Sequence, residues 1–217
     1  MVRLMVFDHD MTIVDSSYAI MAGFNYVAEH EGLPHVSHEL TMKHIADPIP
    51  AFCEGLLGEY RPEWVRLYRE RIAGFERELI RPYPDTIPVM NALRNMGIKT
   101  AVLSNRERPS SVLKNTGLDV LFDAIVGALE PFGKMPYKPA PDMMNALMSH
   151  MDVKPDETVY IGDSDLDIMT AIGAHVRGIG ITKGIFTRDD FVALGAWRVI
   201  DTLSELIAIT ENENAAD

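Results

Sequence analysis

The sequence has a single cysteine and fewer cationic than anionic residues. Cys53 is the one cysteine among 217 residues, so no internal disulfide can form and a secreted disulfide scaffold is excluded. Without a histidine close by in sequence, Cys53 is interpreted as a packed helix residue and not as a nucleophile. Lys and Arg number 20 against 32 Asp and Glu, a formal net charge of -12. That balance argues against a nucleic-acid partner, which requires a basic face.

Long hydrophobic runs are also missing. A membrane span requires about eighteen consecutive apolar residues, and none is present, so no membrane partner is expected. The apolar run at the N-terminus is too short for a signal peptide, which predicts a cytoplasmic location. Hydrophobic residues still make up 47% of the chain and charged residues 24%, enough for a sizeable buried core.

Short apolar runs alternate with helical patterns over most of the chain. The runs predict strands at 2–7, 99–103, 124–126, 158–161, 176–181 and 197–200. The helical patterns lie at 87–96, 109–117, 141–151 and 166–174, and the polar tail of residues 211–217 is expected to fray. Strands and helices that alternate in this way predict an α/β fold, with a Rossmann-like parallel sheet covered on both faces.

Residues 16–80 have a different character. Apolar residues recur at helical spacing in 18–30 and 64–79, and runs of β-branched residues are absent, which predicts an all-helical segment. Breaks between its helices are predicted at 32–34 and 47–50. Pro82 and Pro84 follow the segment and mark the return to the sheet. We therefore predict a core made of residues 1–15 and 81–217, with a helical domain of residues 16–80 inserted in it.

Polar residues directly follow the predicted strands. Ligands of parallel α/β sheets bind at the carboxyl ends of the strands, near a topological switch point. The residues at those ends are Asp8 and Asp10 after the first strand, Ser104 and Asn105 after the second, and Asp163, Asp165 and Asp167 after 158–161.

The two aspartate clusters indicate a metal site. Asp8 and Asp10 alone are equally well explained as an acidic turn or a helix cap. The three aspartates of the second cluster exceed what capping one helix requires. If the two strands are neighbours, Asp8 and Asp163 face one another across a gap that only a cation makes tolerable, and a hard divalent cation takes oxygen ligands.

Two further stretches offer groups that bind phosphate. Ser104 and Asn105 can donate hydrogen bonds to phosphate oxygens, although this pair is also common in loops. Lys138 lies in a loop stiffened by Pro139 and Pro141, which would hold its charge toward a site. By itself Lys138 is better interpreted as a solvated loop residue than as a site residue.

Together these stretches resemble the haloacid dehalogenase-like hydrolase superfamily. The likeness covers residues 2–208 and is greatest to the phosphoglycolate phosphatase-like branch, which has an α-helical cap inserted after the first motif. The motifs that carry it are Asp8-x-Asp10-x-Thr12, Ser104-Asn105, Lys138 and Gly162-Asp163-Ser164-x-x-Asp167. The resemblance implies a Rossmann-type sheet with the cap, residues 16–80, over its strand ends.

The resemblance assigns roles to the acidic residues. Asp8 is expected to be the nucleophile that forms an aspartyl-phosphate, and Asp10 the general acid and then base. Mg²⁺ would be held by the Asp8 carboxylate, the Asp10 backbone carbonyl and Asp163, with Asp167 at or just behind the ligands. Thr12 is expected to shape the loop.

The resemblance also implies how the phosphoryl group is held. Ser104 and Lys138 would bind its oxygens, and Asn105 would help to position it. The expected activity is that of a phosphatase acting on a small phosphorylated metabolite, such as phosphoglycolate or a sugar phosphate. Both a monomer and a homodimer fit the sequence.

The sequence departs from the family pattern at Met11 and at His175, where glycine is expected, and at His9, where an aliphatic residue is expected. His9 is interpreted as a packing or supporting residue. Three other functions compete with a phosphatase. Asp10 and the second cluster disfavour a metal-free dehalogenase, whereas a phosphomutase acting on a sugar phosphate and a catalytically silent binding module stay open.

Overall fold

The computed structural model describes residues 1–45, 47 and 49–215, which form two compact units. One unit contains residues 1–14 and 82–217, and the other contains residues 15–81. The sequence analysis placed the two crossings one residue away, at 15–16 and 80–81. The strands β2 (Val14–Asp15) and β3 (Arg81–Pro82) contain the crossings and form a separate two-stranded sheet.

The first unit is built on a six-stranded sheet. Its strands are β1 (Leu4–Phe7), β4 (Lys99–Leu103), β5 (Ala124–Val126), β6 (Thr158–Gly162), β7 (Arg177–Ile181) and β8 (Arg198–Ile200). Their order is β5-β4-β1-β6-β7-β8, and every neighbouring pair is parallel. The predicted α/β fold with a helical insert is confirmed, and each predicted strand is present to within two residues at either end.

Six helices accompany this sheet. They are α5 (Thr86–Asn95), α6 (Pro109–Thr116), α7 (Asp142–Met151), α8 (Asp165–Gly173), α9 (Arg188–Ala193) and α10 (Glu205–Ala215). The four predicted helices correspond to α5–α8. Neither α9, a helix of six residues, nor α10 was predicted from the sequence, and the tail from residue 211 was expected to fray. That expectation is wrong for residues 211–215, which continue α10, and residues 216 and 217 lie outside the described part of the chain.

The sheet is buried on both of its faces. All four residues of β1 and all five of β6 are buried, which accounts for the continuous apolar runs in the sequence. On one face Leu4, Val6 and Leu103 pack against α7 and α8. The methionines of this core include Met143 and Met144. The helices and this core fix the strand ends at which the polar residues lie.

The second unit is a small helical domain. Its helices are α1 (Ser17–Glu31), α2 (His38–His44), α3 (Ile49–Leu57) and α4 (Pro62–Leu79). Phe24, Phe52 and Cys53 lie in its core, so the interpretation of Cys53 as a packed residue is confirmed. The helix break predicted at 47–50 includes residue 48, which lies outside the described residues, and α3 already begins at Ile49. Within the described ranges of the chain, no helix combines the length and apolar character that crossing a membrane requires.

The two positions that lack the expected glycine have left-handed backbone conformations. Met11 has a φ of 55° and His175 a φ of 58°. His175 follows the end of α8, where its N–H donates to Ile172 O at 3.0 Å and the N–H of Val176 donates to Ala171 O at 2.9 Å. These paired bonds close a Schellman turn, whose left-handed position is normally glycine because a Cβ there is strained.

We predict that His175→Gly stabilises the protein. Relief of the left-handed strain, about 1–2 kcal/mol, exceeds the added entropy of glycine in the unfolded chain, and the net gain should be about 0.5–1 kcal/mol. The thermal midpoint should rise by roughly 2–3 °C. His175→Ala is the matched control, since it removes the imidazole and keeps the Cβ. If both variants raise the midpoint equally, backbone strain is not the cause.

Candidate active site

The carboxyl ends of three central strands bring the predicted site residues to one edge of the sheet. β1 lies between β4 and β6, and Phe7 is level with Val102 on one side and Ile161 on the other. The N–H of Asp8 still donates to Ile161 O at 2.8 Å, so the sheet pairing fixes the backbone of Asp8. Because the strand order reverses between β1 and β6, Asp8 and Asp163 flank the topological switch point.

Three carboxylates converge at this point. One oxygen each from Asp8, Asp163 and Asp167 lies within 4.8 Å of the others. Their residues are nearly or fully buried, with exposed fractions of 6%, 9% and 1%. Thr12 Oγ1 donates to Asp163 Oδ1 at 3.2 Å and ties the loop after β1 to the cluster. A set of hard oxygen donors this close together has the composition of a divalent-metal site.

Lys138 is the cation that the cluster contains. Its Nζ donates to Asp8 Oδ1 at 2.6 Å and to Asp167 Oδ1 at 2.7 Å, and it lies 3.2 Å from the Tyr160 hydroxyl. Asn105 Oδ1 accepts from the backbone N–H of Lys138 at 2.6 Å. The strand end at β4 therefore holds the Lys138 loop in place, and Lys138 is a buried site residue instead of a solvated one.

Asp167 is engaged through both of its oxygens. Oδ1 contacts Lys138 and accepts from the Tyr160 hydroxyl at 2.8 Å. Oδ2 accepts from the Ser164 N–H at 3.0 Å and from Ser164 Oγ at 2.6 Å, which forms the capping box at the start of α8. Asp167 therefore fixes Lys138 and the helix start at the same time. These bonds suit a residue that stands just behind the metal ligands.

Burial sets the electrostatics of the cluster. It raises the pKa of Asp8 to about 7, with Asp167 and Asp10 adding to the rise and Lys138 opposing it. Burial, Asp167 and Asp8 likewise raise the pKa of Asp163 well above its ordinary value. Although burial lowers the pKa of Lys138, Asp167 and Asp8 raise it well above its ordinary range.

A divalent cation fits the charge of this cluster. Three buried carboxylates face one ammonium group, so ionised carboxylates leave an excess of two negative charges. Repulsion between these carboxylates adds to the effect of burial in raising the pKa values of Asp8 and Asp163. A doubly charged cation among the oxygens would compensate it and return the carboxylates to their ionised form.

Asp10 turns away from the carboxylate cluster and pairs with Arg106. Arg106 Nε donates to Asp10 Oδ2 at 2.7 Å and Nη2 donates to Oδ1 at 2.8 Å. His9 is fully buried, and its Nδ1 lies 3.3 Å from Asp10 Oδ1. Burial alone would raise the pKa of Asp10. Arg106 and, after it, His9 outweigh burial and hold that pKa well below its ordinary value.

Two glycines leave room for the carboxylates. A Cβ on Gly162 would lie 2.2 Å from Asp167 Cγ, and a Cβ on Gly184 would lie 2.4 Å from Asp163 Oδ2. Gly162 belongs to the recognised motif, whereas Gly184, in the segment after β7, was not identified from the sequence. Close approach of a side chain to backbone is one of the uses of glycine.

The predicted site residues form one network with three further residues beside it. Five of them form one connected network, namely Asp8, Thr12, Lys138, Asp163 and Asp167. The others adjoin it: Asn105 holds Lys138, Ser104 is buried with its Oγ accepting from the Arg106 N–H at 3.2 Å, and the Asp10 carboxylate binds Arg106.

The sequence analysis missed Arg106 and Tyr160. Arg106 directly follows Ser104 and Asn105 at a strand end, so its position was a signal that went unused. Tyr160 is a hydroxyl-bearing residue in an otherwise apolar strand, and its hydroxyl reaches Leu103 O at 3.1 Å. No sequence pattern alone shows that this hydroxyl meets Asp167.

Comparisons with known proteins identify the family of the chain. Residues 5–181 match the haloacid dehalogenase-like hydrolase family. The chain is 29% identical over 169 residues to the phosphoglycolate phosphatase of Aquifex aeolicus (strain VF5), covering 76% of this chain and 78% of that protein. It is 24% identical over 211 residues to the pyrophosphatase PpaX of Bacillus velezensis (strain DSM 23117 / BGSC 10A6 / LMG 26770 / FZB42), covering 96% of each.

A solved structure gives the same result. A protein from Bacteroides fragilis, assigned as a haloacid dehalogenase-like hydrolase, matches with a TM-score of 0.80 and 28% identity, covering 95% of this chain and 100% of that one. The resemblance that the motifs carried is thereby confirmed. Since the family match spans most of its length, the chain belongs to the haloacid dehalogenase-like hydrolase family.

Proposed function

We propose that the protein is a Mg²⁺-dependent phosphatase that hydrolyses a small phosphorylated metabolite through an aspartyl-phosphate on Asp8. The observation that carries the proposal is the buried contact of Asp8 with Lys138 inside a cluster of three carboxylates. A carboxylate nucleophile needs nearby positive charge to approach a phosphate dianion. The two named curated relatives, a phosphoglycolate phosphatase and a pyrophosphatase, support this class of reaction.

Mg²⁺ suits the donor set because it prefers carboxylate and carbonyl oxygens. The Asp8 carboxylate, the Asp10 backbone carbonyl and Asp163 would hold it, and Asp167 would orient the cluster through Lys138 and Ser164. When bound, the ion supplies positive charge that screens the nucleophile from the phosphate and stabilises the charge that develops in the transition state.

In the first step an oxygen of Asp8 attacks phosphorus. The bond from phosphorus to the leaving oxygen breaks, and its electron pair stays on that oxygen, which takes a proton from Asp10. Asp8 then carries the phosphoryl group as an acyl phosphate. Asp10 must leave Arg106 before it can serve as this acid, because both of its oxygens are engaged in the ion pair.

In the second step water replaces Asp8 on phosphorus. Asp10, now a carboxylate, removes a proton from the attacking water. Asp10 thereby regains the proton that it gave up in the first step. The bond between phosphorus and the Asp8 oxygen breaks, and its electron pair returns to the carboxylate. Inorganic phosphate leaves, and both aspartates are back in their starting forms.

Lys138, Ser104 and Asn105 would hold the phosphoryl oxygens. Lys138 carries a charge that its two aspartates fix in position, so it can bind developing negative charge without reorganising. Ser104 is buried at the end of β4 and offers a hydroxyl. Asn105 uses its carbonyl oxygen for the Lys138 loop, and its amide nitrogen can donate to phosphate.

The substrate is proposed to be a small compound. The inserted unit of residues 15–81 is proposed to be the α-helical cap of the family. The net charge of -12 also gives a long polyanion no basic track to follow. A phosphoprotein or a nucleic acid is therefore not the expected substrate.

We predict that Asp8→Asn abolishes turnover, since an amide is a poor nucleophile. Steady-state kinetics with an aryl phosphate should show a loss of at least about 10³-fold, roughly 4 kcal/mol in the barrier. Asp142→Asn is the matched control, because Asp142 is exposed in the first turn of α7, and it should keep the wild-type rate. Retention of more than a tenth of the rate in Asp8→Asn would refute covalent catalysis at this residue.

We predict that the stabilisation of the protein by Mg²⁺ depends on pH. The raised pKa of Asp8 means that, without metal, its contribution to the free energy of unfolding falls as the pH rises from about 4 to about 7. Mg²⁺ binds the ionised form, so its stabilising effect should be larger at pH 8 than at pH 5.5.

Thermal melts at the two pH values, with Mg²⁺ and with EDTA, measure that difference. A ligand at a hundredfold excess over its dissociation constant stabilises by about 2.7 kcal/mol, roughly 5–10 °C here. The expected shift at pH 5.5 is less than half of that at pH 8. A shift that does not depend on pH, or one that persists unchanged in Asp8→Asn, would place the ion elsewhere.

Lys138→Met should impair both the reaction and the metal-free fold. The loss of a fixed charge aimed at the phosphoryl oxygens should lower kcat by roughly 10²–10³-fold. Buried Asp8 and Asp167 also lose their cation, so the melting temperature in EDTA should fall. Lys134→Met is the control in the same loop, because Lys134 is exposed. A loss of kcat below threefold in Lys138→Met contradicts its assignment to the phosphoryl group.

A further inference from the structure

The pair of Arg106 and Asp10 lies at the accessible side of the site. The side chains of Arg106 and Asp10 keep 23% and 29% of their surface exposed, whereas those of Lys138 and Asp8 keep 5% and 9%. The pair is bidentate, with bonds of 2.7 and 2.8 Å. The side chains of Arg106 and Asp10 therefore offer an incoming solute more surface than those of Lys138 and Asp8.

Arginine makes the same two-bond contact with carboxylates and with phosphates. An anionic group on a substrate is therefore chemically equivalent to the Asp10 carboxylate as a partner for Arg106. Because the overall charge of -12 repels anions, a doubly anionic substrate needs a local cation of this kind.

The position of Asp10 defines which part of the substrate Arg106 would meet. Under the proposed mechanism Asp10 serves the leaving oxygen, on the side of phosphorus away from the attacking Asp8. A group attached to the leaving oxygen lies next to Asp10, and the guanidinium of Arg106 is already there.

The backbone of Arg106 is anchored, so its side chain can change partners without moving the loop. The N–H of Arg106 donates to Ser104 Oγ at 3.2 Å, and its carbonyl accepts from the Ala128 N–H at 3.0 Å. A Cβ on Gly127 would lie 2.6 Å from the same carbonyl, so neighbouring backbone packs closely around it.

We propose that Arg106 is a specificity residue that exchanges the Asp10 carboxylate for a second anionic group on the leaving side of the substrate. The exchange binds the substrate through that group and releases Asp10 for the leaving oxygen. The substrate class is then a phosphate ester or anhydride that carries a carboxylate or another phosphate close to the transferred phosphoryl group. This inference rests on the proposed phosphatase function and narrows its substrate.

Binding of substrate mimics that cannot be hydrolysed tests this proposal without relying on turnover. Phosphonoacetate carries a carboxylate next to its phosphonate, and isobutylphosphonate has the same branched shape without that charge. Calorimetric titrations in Mg²⁺ should give at least tenfold tighter binding of phosphonoacetate to the wild type. A hydrogen bond to a charged group contributes about 1.5–3 kcal/mol, which corresponds to roughly 10–150-fold.

Three variants test whether Arg106 causes the preference for phosphonoacetate over isobutylphosphonate. Arg106→Gln should reduce the preference to threefold or less, and Arg106→Lys should keep an intermediate value, since it retains the charge and loses the two-bond geometry. Arg108→Gln removes one charge from the same exposed loop and should leave the preference unchanged. Thermal melts show whether each variant is folded, and Arg106→Lys is the fallback if Arg106→Gln is not.

The outcomes separate this inference from the function it rests on. A wild type without preference for phosphonoacetate, or an Arg106→Gln variant that keeps the preference within threefold of the wild-type value, overturns the role of Arg106. A wild type that binds phosphonoacetate through Arg106 yet releases no phosphate from any monoester, aryl phosphate included, refutes the phosphatase function and leaves Arg106 as an anion-binding residue.

Discussion

The ion pairs of Lys138 with Asp8 and Asp167 are the interaction on which the site depends. The cluster gathers three carboxylates at a buried point, and without a cation that arrangement is strongly unfavourable. Lys138 lies in a loop and not at the end of β1 or β6, which carry the carboxylates. Asn105 binds the backbone of that loop, and the Tyr160 hydroxyl contacts the ammonium group. Positive charge is thereby present before any ligand arrives, which keeps the cost of reorganisation low.

The cluster remains undercompensated even with Lys138. Burial and, after it, repulsion between the carboxylates raise the pKa values of Asp8 and Asp163. A site held in this condition favours whatever cation restores the balance, and the oxygen donors favour a hard one. The uncompensated negative charge therefore destabilises the metal-free protein and favours the binding of a metal ion at the same place.

Most of the fold could be predicted from the sequence because each buried strand is a short apolar run with its turn residues beside it. The carboxylates could be predicted because parallel strands end at the same edge of a sheet, which converts positions far apart in sequence into neighbours. The strand-end position of Arg106 could be predicted in the same way, but its pairing with Asp10 could not, because it depends on side-chain direction. The contacts of Tyr160 and Gly184 likewise depend on side-chain direction and on distances across strands. The end of α10 was missed because its polar sequence resembles a disordered tail, although it continues a helix that has buried residues.

The pairing of β2 with β3 has a consequence for how this molecule can change over evolutionary time. The insert leaves and re-enters the sheet unit through adjacent, hydrogen-bonded strands, so its two ends are close together. Closing a loop over such a gap costs a free energy that grows only with the logarithm of the loop length, and a unit with its own core adds little strain to its host. The insert is therefore an exchangeable module: it can be lengthened, shortened or replaced while the sheet and its carboxylates are inherited unchanged. The helical unit and the sheet unit can then diversify at different rates in one gene.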